Sequence, residues 1–453
     1  MTITNSVTQQ LPPTPQTSNF RQLIQWTADP LNLLEKSAQT FGDPFMLEFR
    51  KGRPFVFISH PETIQEILTN DRANFDSGRG NYILIPIVGE TSMLVTDGED
   101  HNRQRKLIYP PFHGEKIRHY GEIIAETTQQ VTQTWDANKP FTMRSSMQDI
   151  TLEVIMQAVF GISDGKRHQE LKAPLVKLLE LTGGSVLRSS LLFFPIFQQD
   201  FPGSPWRNFL NRQQGINKLL QGEIEERRNN QQTTGNDILS LLMSAEDEDG
   251  NPMSDTELGD QLITLLFAGH ETTATALAWA FYWIHKFPEV REKLLAELET
   301  ISDSSDIKAL NQLPYLDAVC KETLRIYPVA IITFPRITKS VVTVGNYEYP
   351  PEMFLAPCIY LLHHREDIYP NPNQFQPERF LEKEFSPYEF MPFGGGIRRC
   401  VGDVFAMMEM KIVIATILKQ YSLKLLEKRA VKPVRRGVTI APKGGIKMAL
   451  ENY

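Results

Sequence analysis

Apolar residues recur at helical spacing through most of residues 61–330. Clusters of Gly, Pro and Asn break that pattern near 76–90, 110–114, 161–165 and 195–205. Upstream, residues 20–40 read as helix, and Pro44 to Ser59 reads as two short strands around a Lys-Gly-Arg turn. Residues 331–360, rich in Val, Ile, Thr and Tyr, turn strand-like. The stretch 365–395 holds many Pro and Asn and few periodic positions, so an ordered loop packed on another part of the chain is expected there. A long helix over about 401–420 and further strand-like pieces close the chain. The pattern predicts a mainly α protein with a smaller β region, with no internal repeat and no linker. It further predicts one domain over 20–453, preceded by an extended or disordered segment over 1–19 that contains Leu11-Pro12-Pro13-Thr14-Pro15.

One helix is defined at both ends. Ser254-Asp255-Thr256-Glu257 is a capping box, with Met253 placed to staple against Leu258, and Pro288 stops the helix. The resulting rod is roughly 50 Å long at 1.5 Å per residue. Its middle is apolar all round, so it must cross the interior. Glu271 near that middle, and the lack of interfacial anchors, argue against a membrane span over 262–284. Within the rod lies Ala268-Gly269-His270-Glu271-Thr272-Thr273. Ala268 and Gly269 remove bulk so that something flat can approach, and Glu271 and Thr272 set an acid and an alcohol beside the gap. A helix-packing notch with a hydrogen-bonded glutamate explains the same residues. His270 suits a core hydrogen bond better than a metal.

The densest chemistry lies in Phe393-Gly394-Gly395-Gly396-Ile397-Arg398-Arg399-Cys400-Val401-Gly402. A glycine-rich turn delivers one cysteine to the head of a helix, where amide N–H groups favour negative sulfur. A P-loop would need Lys-Ser or Lys-Thr after the glycines, and a cysteine phosphatase an arginine after the nucleophile. A zinc or iron–sulfur site would need partner cysteines, and Cys320 and Cys358 are remote. A thiolate held on a cationic centre such as haem iron and a buried structural cysteine both remain. Elsewhere Glu322 and Arg325 fall at i, i+3 and can pair on one helix face. His101 and Arg105 at i, i+4, with Arg336 and Arg398, offer cationic or donor groups of the kind that haem propionates require.

Composition narrows the classes. The 453 residues carry a net charge of −7 without a basic tail, which argues against nucleic acid. Three scattered cysteines fit a reducing compartment, and residues 1–25 lack a signal-peptide pattern. The expected location is the cytoplasm, with peripheral membrane contact as one reading of the apolar run 191–197.

These constellations, in this order, resemble the cytochrome P450 superfamily of haem-thiolate monooxygenases, of the soluble bacterial type and similar to cyanobacterial relatives. The signature Phe-x-x-Gly-x-Arg-x-Cys-x-Gly is met by Phe393, Gly396, Arg398, Cys400 and Gly402. Ala268 to Thr272 matches the oxygen-activation motif, and Glu322 with Arg325 the Glu-x-x-Arg pair. Pro377-Glu378-Arg379-Phe380 matches the motif whose arginine completes a structural triad. The resemblance implies the P450 fold, with haem b (iron protoporphyrin IX) between the central helix and the cysteine-loop helix. It makes Cys400 the axial ligand, and Thr272 with Glu271 the proton-handling pair. The cofactor contacts become His101, Arg105, Ala268, Gly269, Arg336, Phe393, Arg398 and Gly402. Many relatives have Trp where this chain has His101, which can still donate to a propionate.

The implied reaction inserts one oxygen atom of O2 into an unactivated C–H bond. Tyr82, Ile83, Ile85, Phe193, Phe194, Ala268, Ala330, Ile331 and Ile440 are the expected substrate walls. Their apolar character suits a fatty acid, alkane or terpenoid, and Arg188 is the one cation considered as a carboxylate anchor. Electrons are expected from a separate ferredoxin or flavodoxin docking on Arg103, Lys106, Arg399 and Lys411, and the chain is expected to be a monomer. A peroxide-using hydroxylase or an isomerase often lacks the acid–alcohol pair kept here, and a haem sensor would need an output domain.

Overall fold

The structure is a computed structural model that describes residues 11–114, 116–162, 165–183, 193–230 and 235–451. Arg188, Leu191 and Leu192 fall outside these residues. The central helix runs Asp255–Lys286. Ser254 Oγ accepts from the Glu257 amide, Glu257 returns a bond to the Ser254 amide, and Pro288 opens the next helix. Leu258 to Ile284 is buried except at Asp260 and over Phe267–Thr272, where only His270 is buried. Helices Met143–Phe160, Pro205–Asn229, Pro314–Ile326 and Asp403–Gln420 pack around this rod, and their apolar residues merge into one large core. Each therefore buries its apolar stripe against the apolar stretches on either side of Ala268–Thr272.

The β region lies to one side. Strands Phe45–Arg50 and Arg53–Ile58 form the expected hairpin around Lys51-Gly52. Arg53–Ile58 then pairs in parallel with Phe354–Pro357, which pairs antiparallel with Arg336–Thr338, and Phe75–Asp76 completes five strands. Phe55 stacks on Phe354 across the parallel pair, with ring centroids 4.7 Å apart. Pro433–Arg436 and Thr439–Pro442 make a separate hairpin, which contacts the N-terminal helix Asn19–Ala28 and the central helix. The helix expected over 20–40 is two, Asn19–Ala28 and Pro30–Phe41, because Pro30 cannot continue the first one's bonding and instead starts the second. The Pro-rich 365–395 stretch carries only one short helix, Arg379–Glu382, and packs across the end of Pro314–Ile326.

Candidate functional site

Cys400 lies at the end of the glycine turn, and its amide donates to Phe393 O at 3.0 Å. Gly394 and Gly396 sit at φ 69° and 64°, which disfavours any side chain. Side-chain space is also closed. A Cβ on Gly395 would fall 2.7 Å from Leu68 Cδ1, and one on Gly396 3.2 Å from Leu68 O. At those two positions glycine serves to seat the loop on helix Pro61–Thr69, a reason that the sequence pattern did not reveal. Asp403–Gln420 begins just beyond, and the Gly402 amide hydrogen-bonds the Cys400 sulfur. Cys400 itself opens on the cavity, yet the protein packed around it outweighs that bond and raises the thiol to about 11. A cation against the sulfur would favour the thiolate. Cys320 and Cys358 are buried with thiols pushed up to about 12, and lie apart from this cavity.

Cys400, Phe393 and Gly402 share a cavity of about 570 Å³ with Ala268, Gly269, Glu271 and Thr272 of the central helix. Thr272 Oγ1 donates to Ala268 O, one turn back, at 2.5 Å. Glu271 accepts from Arg144 and from Gln148 Nε2, the latter at 2.9 Å, so its carboxylate is tied to helix Met143–Phe160. Gly269 has two faces. It lines the cavity, yet a Cβ there would meet Ile155 Cδ1 at 3.1 Å, so the packing notch is also present. His270 is buried, bonds Thr151 Oγ1 at 3.0 Å, and is held neutral by burial and by Arg144, its pKa pushed down to about 3.

His101, Arg105, Arg336 and Arg398 line one part of the same cavity. Arg336 is fully buried and pairs with Asp71 at 2.9 Å. Arg398 pairs with Asp97 at 2.6 Å and donates to Met93 O and Thr96 O, while its Nε has no partner. Arg105 donates to Arg399 O at 2.7 Å and hydrogen-bonds no carboxylate among the described residues. His101 is 1% exposed, and apart from the adjacent Asn102 side chain its ring nitrogens meet no partner among the described residues. Burial, then Arg398 and Arg105, push its pKa down to about 3, so the ring is neutral and offers one N–H.

Behind the cysteine loop, Arg325 grips Glu322 with Nε and Nη2 at 2.6 and 2.8 Å, and Arg379 Nε adds a third bond at 3.1 Å. Sequence reading missed the next link. Arg325 Nη1 donates to His363 O at 2.7 Å, His363 Nε2 accepts from the Met391 amide at 3.0 Å, and Met391 O receives the Gly394 amide. His363 is fully buried, with a pKa lowered by burial and by Arg325. Its signal was only a second His beside His364 in an apolar run. Glu409 was missed too. This residue of helix Asp403–Gln420 is 2% exposed, touches Thr273, and has its pKa raised by burial to about 8.

The sequence matches the family described as Cytochrome P450 over residues 10–448. The chain is a cytochrome P450. Cytochrome P450 135B1 of Mycobacterium tuberculosis is 34% identical over 442 residues, covering 97% of this chain and 91% of its own length. Cytochrome P450 138 of Mycobacterium bovis is 30% identical, covering 96% and 95%. Among solved structures, retinoic acid-bound cyanobacterial CYP120A1 superposes with a TM-score of 0.86 at 23% identity, over 98% of this chain and all of that one. The cytochrome P450DA heme domain gives 0.85 at 20% identity, over 98% of each. These neighbours share the fold.

Haem is the cofactor of cytochromes P450, and this cavity fits it. The cavity offers a soft sulfur, three guanidiniums in one region, and orphaned donors on His101 and Arg398 that lack anions to meet. Such a P450 is an oxidoreductase, a haem monooxygenase, and takes small substrates and redox partners. Among the described residues no helix is long and apolar enough to cross a membrane.

Of the expected substrate walls, Tyr82, Ile83, Phe193, Ala268, Ala330 and Ile331 line the cavity. Ile85, Phe194 and Ile440 do not. Ile85 opens a one-turn helix, and the cavity takes Leu84 and Pro86 in its place. Phe194 turns to Phe197, its ring centroid 6.0 Å away, and Ile440 is buried in the cluster with Trp26 and Leu31. The expected docking cations are all engaged. Arg103 meets Asp247 and Glu257, Lys106 meets Glu248, Arg399 meets Asp403, and Lys411 is buried against Asp317. Only Lys106 and Arg399 keep half or more of their side chains exposed.

Proposed function

We propose that this P450 hydroxylates an apolar substrate, a fatty acid, alkane or terpenoid, using haem b held by Cys400 and electrons from a ferredoxin or flavodoxin. The observation that carries this reading is the shared cavity, with Cys400 on one wall and the Glu271–Thr272 pair on another. When bound, haem supplies the activation of dioxygen and the transfer of one oxygen atom to a C–H bond. His101, Arg105, Arg336 and Arg398 would receive its propionates, with Arg105 and the His101 N–H contributing donors that no carboxylate of the described residues occupies. Ala268 leaves space over the ring. Thr272 donates to Ala268 O in this state, and rotation of its hydroxyl turns the same proton into the cavity. Glu271 exchanges protons there when its link to Arg144 opens and frees a carboxylate oxygen. Ile83, Phe193 and Ile331 exclude water and offer shape without hydrogen bonds, which suits hydrocarbon. A retinoid is one compatible shape, because the fold neighbour CYP120A1 was solved with retinoic acid.

The test is the optical spectrum of the reduced, carbon-monoxide-bound protein, followed by titration with dodecane, dodecan-1-ol, dodecanoic acid and a monoterpene. A red-shifted thiolate band and a spin shift with at least one ligand are expected. A missing band refutes the Cys400 assignment, and a normal band without any ligand response refutes the apolar substrate.

A further inference from the structure

Arg435 is 2% exposed and lines the cavity from the hairpin Pro433–Arg436/Thr439–Pro442. Its guanidinium lies over two aromatic rings, 4.7 Å from the Trp26 centroid and 5.0 Å from that of Phe193. Nε donates to Trp26 O at 3.1 Å and Nη1 to Gly437 O at 3.5 Å. Nη2 is buried and has no partner among the described residues. No carboxylate compensates this charge among the described residues, since burial alone lowers its pKa, to about 9, and it still carries its proton at neutral pH. The segment 184–192 that precedes Phe193 contains no Asp or Glu at all.

A buried guanidinium with two idle N–H bonds is unfavourable unless something anionic meets it. Stacking on Trp26 and Phe193 offsets part of that cost, yet leaves the in-plane donors of Nη2 unused. Arg336 and Arg398, the other deeply buried guanidiniums of this cavity, each hold a protein carboxylate. Among the described residues, Arg435 holds none. We propose that Arg435 is the specificity-determining anchor for the carboxylate of an elongated apolar acid, whose hydrocarbon body fills the cavity toward Ala268 and Thr272. This deepens the apolar-substrate reading and rests on it. A carboxylate matches the need, because its two oxygens can take both Nη2 donors and it brings one negative charge to one positive charge. An alcohol or alkane of the same length would leave the cation unpaired.

Arg50 and Arg53 also line the cavity, but both are exposed, and a charge pair in water is worth far less than a buried one. They serve as internal comparators. The experiment is isothermal titration of the haem-loaded enzyme at pH 7.5 with dodecanoic acid and dodecan-1-ol, repeated with retinoic acid and retinol. It covers wild type, Arg435→Gln, Arg435→Lys, and the double variant Arg50→Ala/Arg53→Ala. In wild type at least one acid is expected to bind about 30-fold or more tighter than its alcohol, the scale of one buried charge-assisted contact. Arg435→Gln is expected to erase that preference while leaving alcohol affinity within about 3-fold, and Arg435→Lys to keep part of it. Acid and alcohol binding equally to wild type would overturn the anchor and spare the apolar-substrate reading, and needs no variant to fold. Loss of the preference in the Arg50/Arg53 double variant but not in Arg435→Gln would also overturn it. Failure of all four ligands to bind would overturn the anchor, and the apolar-substrate reading falls with it only if dodecane and a monoterpene also fail.

Discussion

At the scale of single residues, burial decides which groups carry charge. Glu409 illustrates the rule, being a carboxyl inside the core with Thr273 as its hydrogen-bonding neighbour and one oxygen unpaired. Desolvation raises its pKa from 4.5 to about 8. The folded protein therefore holds this proton up to about pH 8, while the unfolded chain releases it near 4.5. Stability from the site is full below the lower value and declines as pH rises through the window. Glu409→Gln cannot ionise and should escape that decline. Measured by urea unfolding, its stability relative to wild type should rise by on the order of a few kcal/mol between pH 5 and pH 8. A difference that does not change with pH would mean that Glu409 is already ionised at neutral pH. Nothing in the sequence marked this residue, because Met407-Met408-Glu409-Met410 reads as an ordinary helix surface position until the partner helices are placed.

At the scale of elements, local signals were legible and long-range ones were not. The capping box at Ser254, the stop at Pro288 and the strand pair around Lys51-Gly52 were readable because neighbouring residues set them. The cysteine motif was readable because its residues are contiguous. The role of Arg435 was not, since its surroundings come from Trp26, 409 positions away, and from Phe193. The same holds for His363, which couples two elements. Glu322 and Arg325 on helix Pro314–Ile326 hold the 365–395 stretch through Arg379, and hold the cysteine loop through His363 and Met391. Removing Glu322 would leave Arg325 buried without an anion. Glu322→Ala should therefore lose about 3–5 kcal/mol, the usual penalty for breaking one side of a buried pair. Because the loop that carries Cys400 hangs from this chain, the variant should also lose part of its thiolate-type carbon monoxide band before it unfolds. Lys321→Ala, which breaks only the partly exposed pair with Asp317, should stay within about 0.5 kcal/mol. Equal behaviour of the two variants in urea unfolding would show that the cluster does not brace the loop.

At the scale of the whole molecule, the net charge of −7 opposes any acidic partner, so the proposed docking of an acidic ferredoxin depends on which cations are exposed near the cysteine loop. Arg105 sits in the last turn of helix Gly98–Ile108 and bonds Arg399 O, which fixes that helix end beside Cys400 and brings Lys106 with it. Lys106 is 64% exposed and its partner Glu248 81% exposed, and such a pair is worth roughly 0–1 kcal/mol. An incoming carboxylate can displace Glu248 at little cost. Arg103 and Lys411 are held by acids in more enclosed pairs and contribute less. Local attraction then competes with global repulsion, and the Debye length of about 8 Å at physiological ionic strength favours the groups at contact. Lys106→Glu should slow association with an acidic ferredoxin several-fold at low salt, measured as the concentration dependence of the first electron transfer. The gap from wild type should close near 1 M salt, where charges beyond about 3 Å are screened. An unchanged association rate at low salt would move the docking site off this helix end. A gap that persists at high salt would assign Lys106 a packing role in the interface in place of an electrostatic one, because screening removes the first effect and leaves the second.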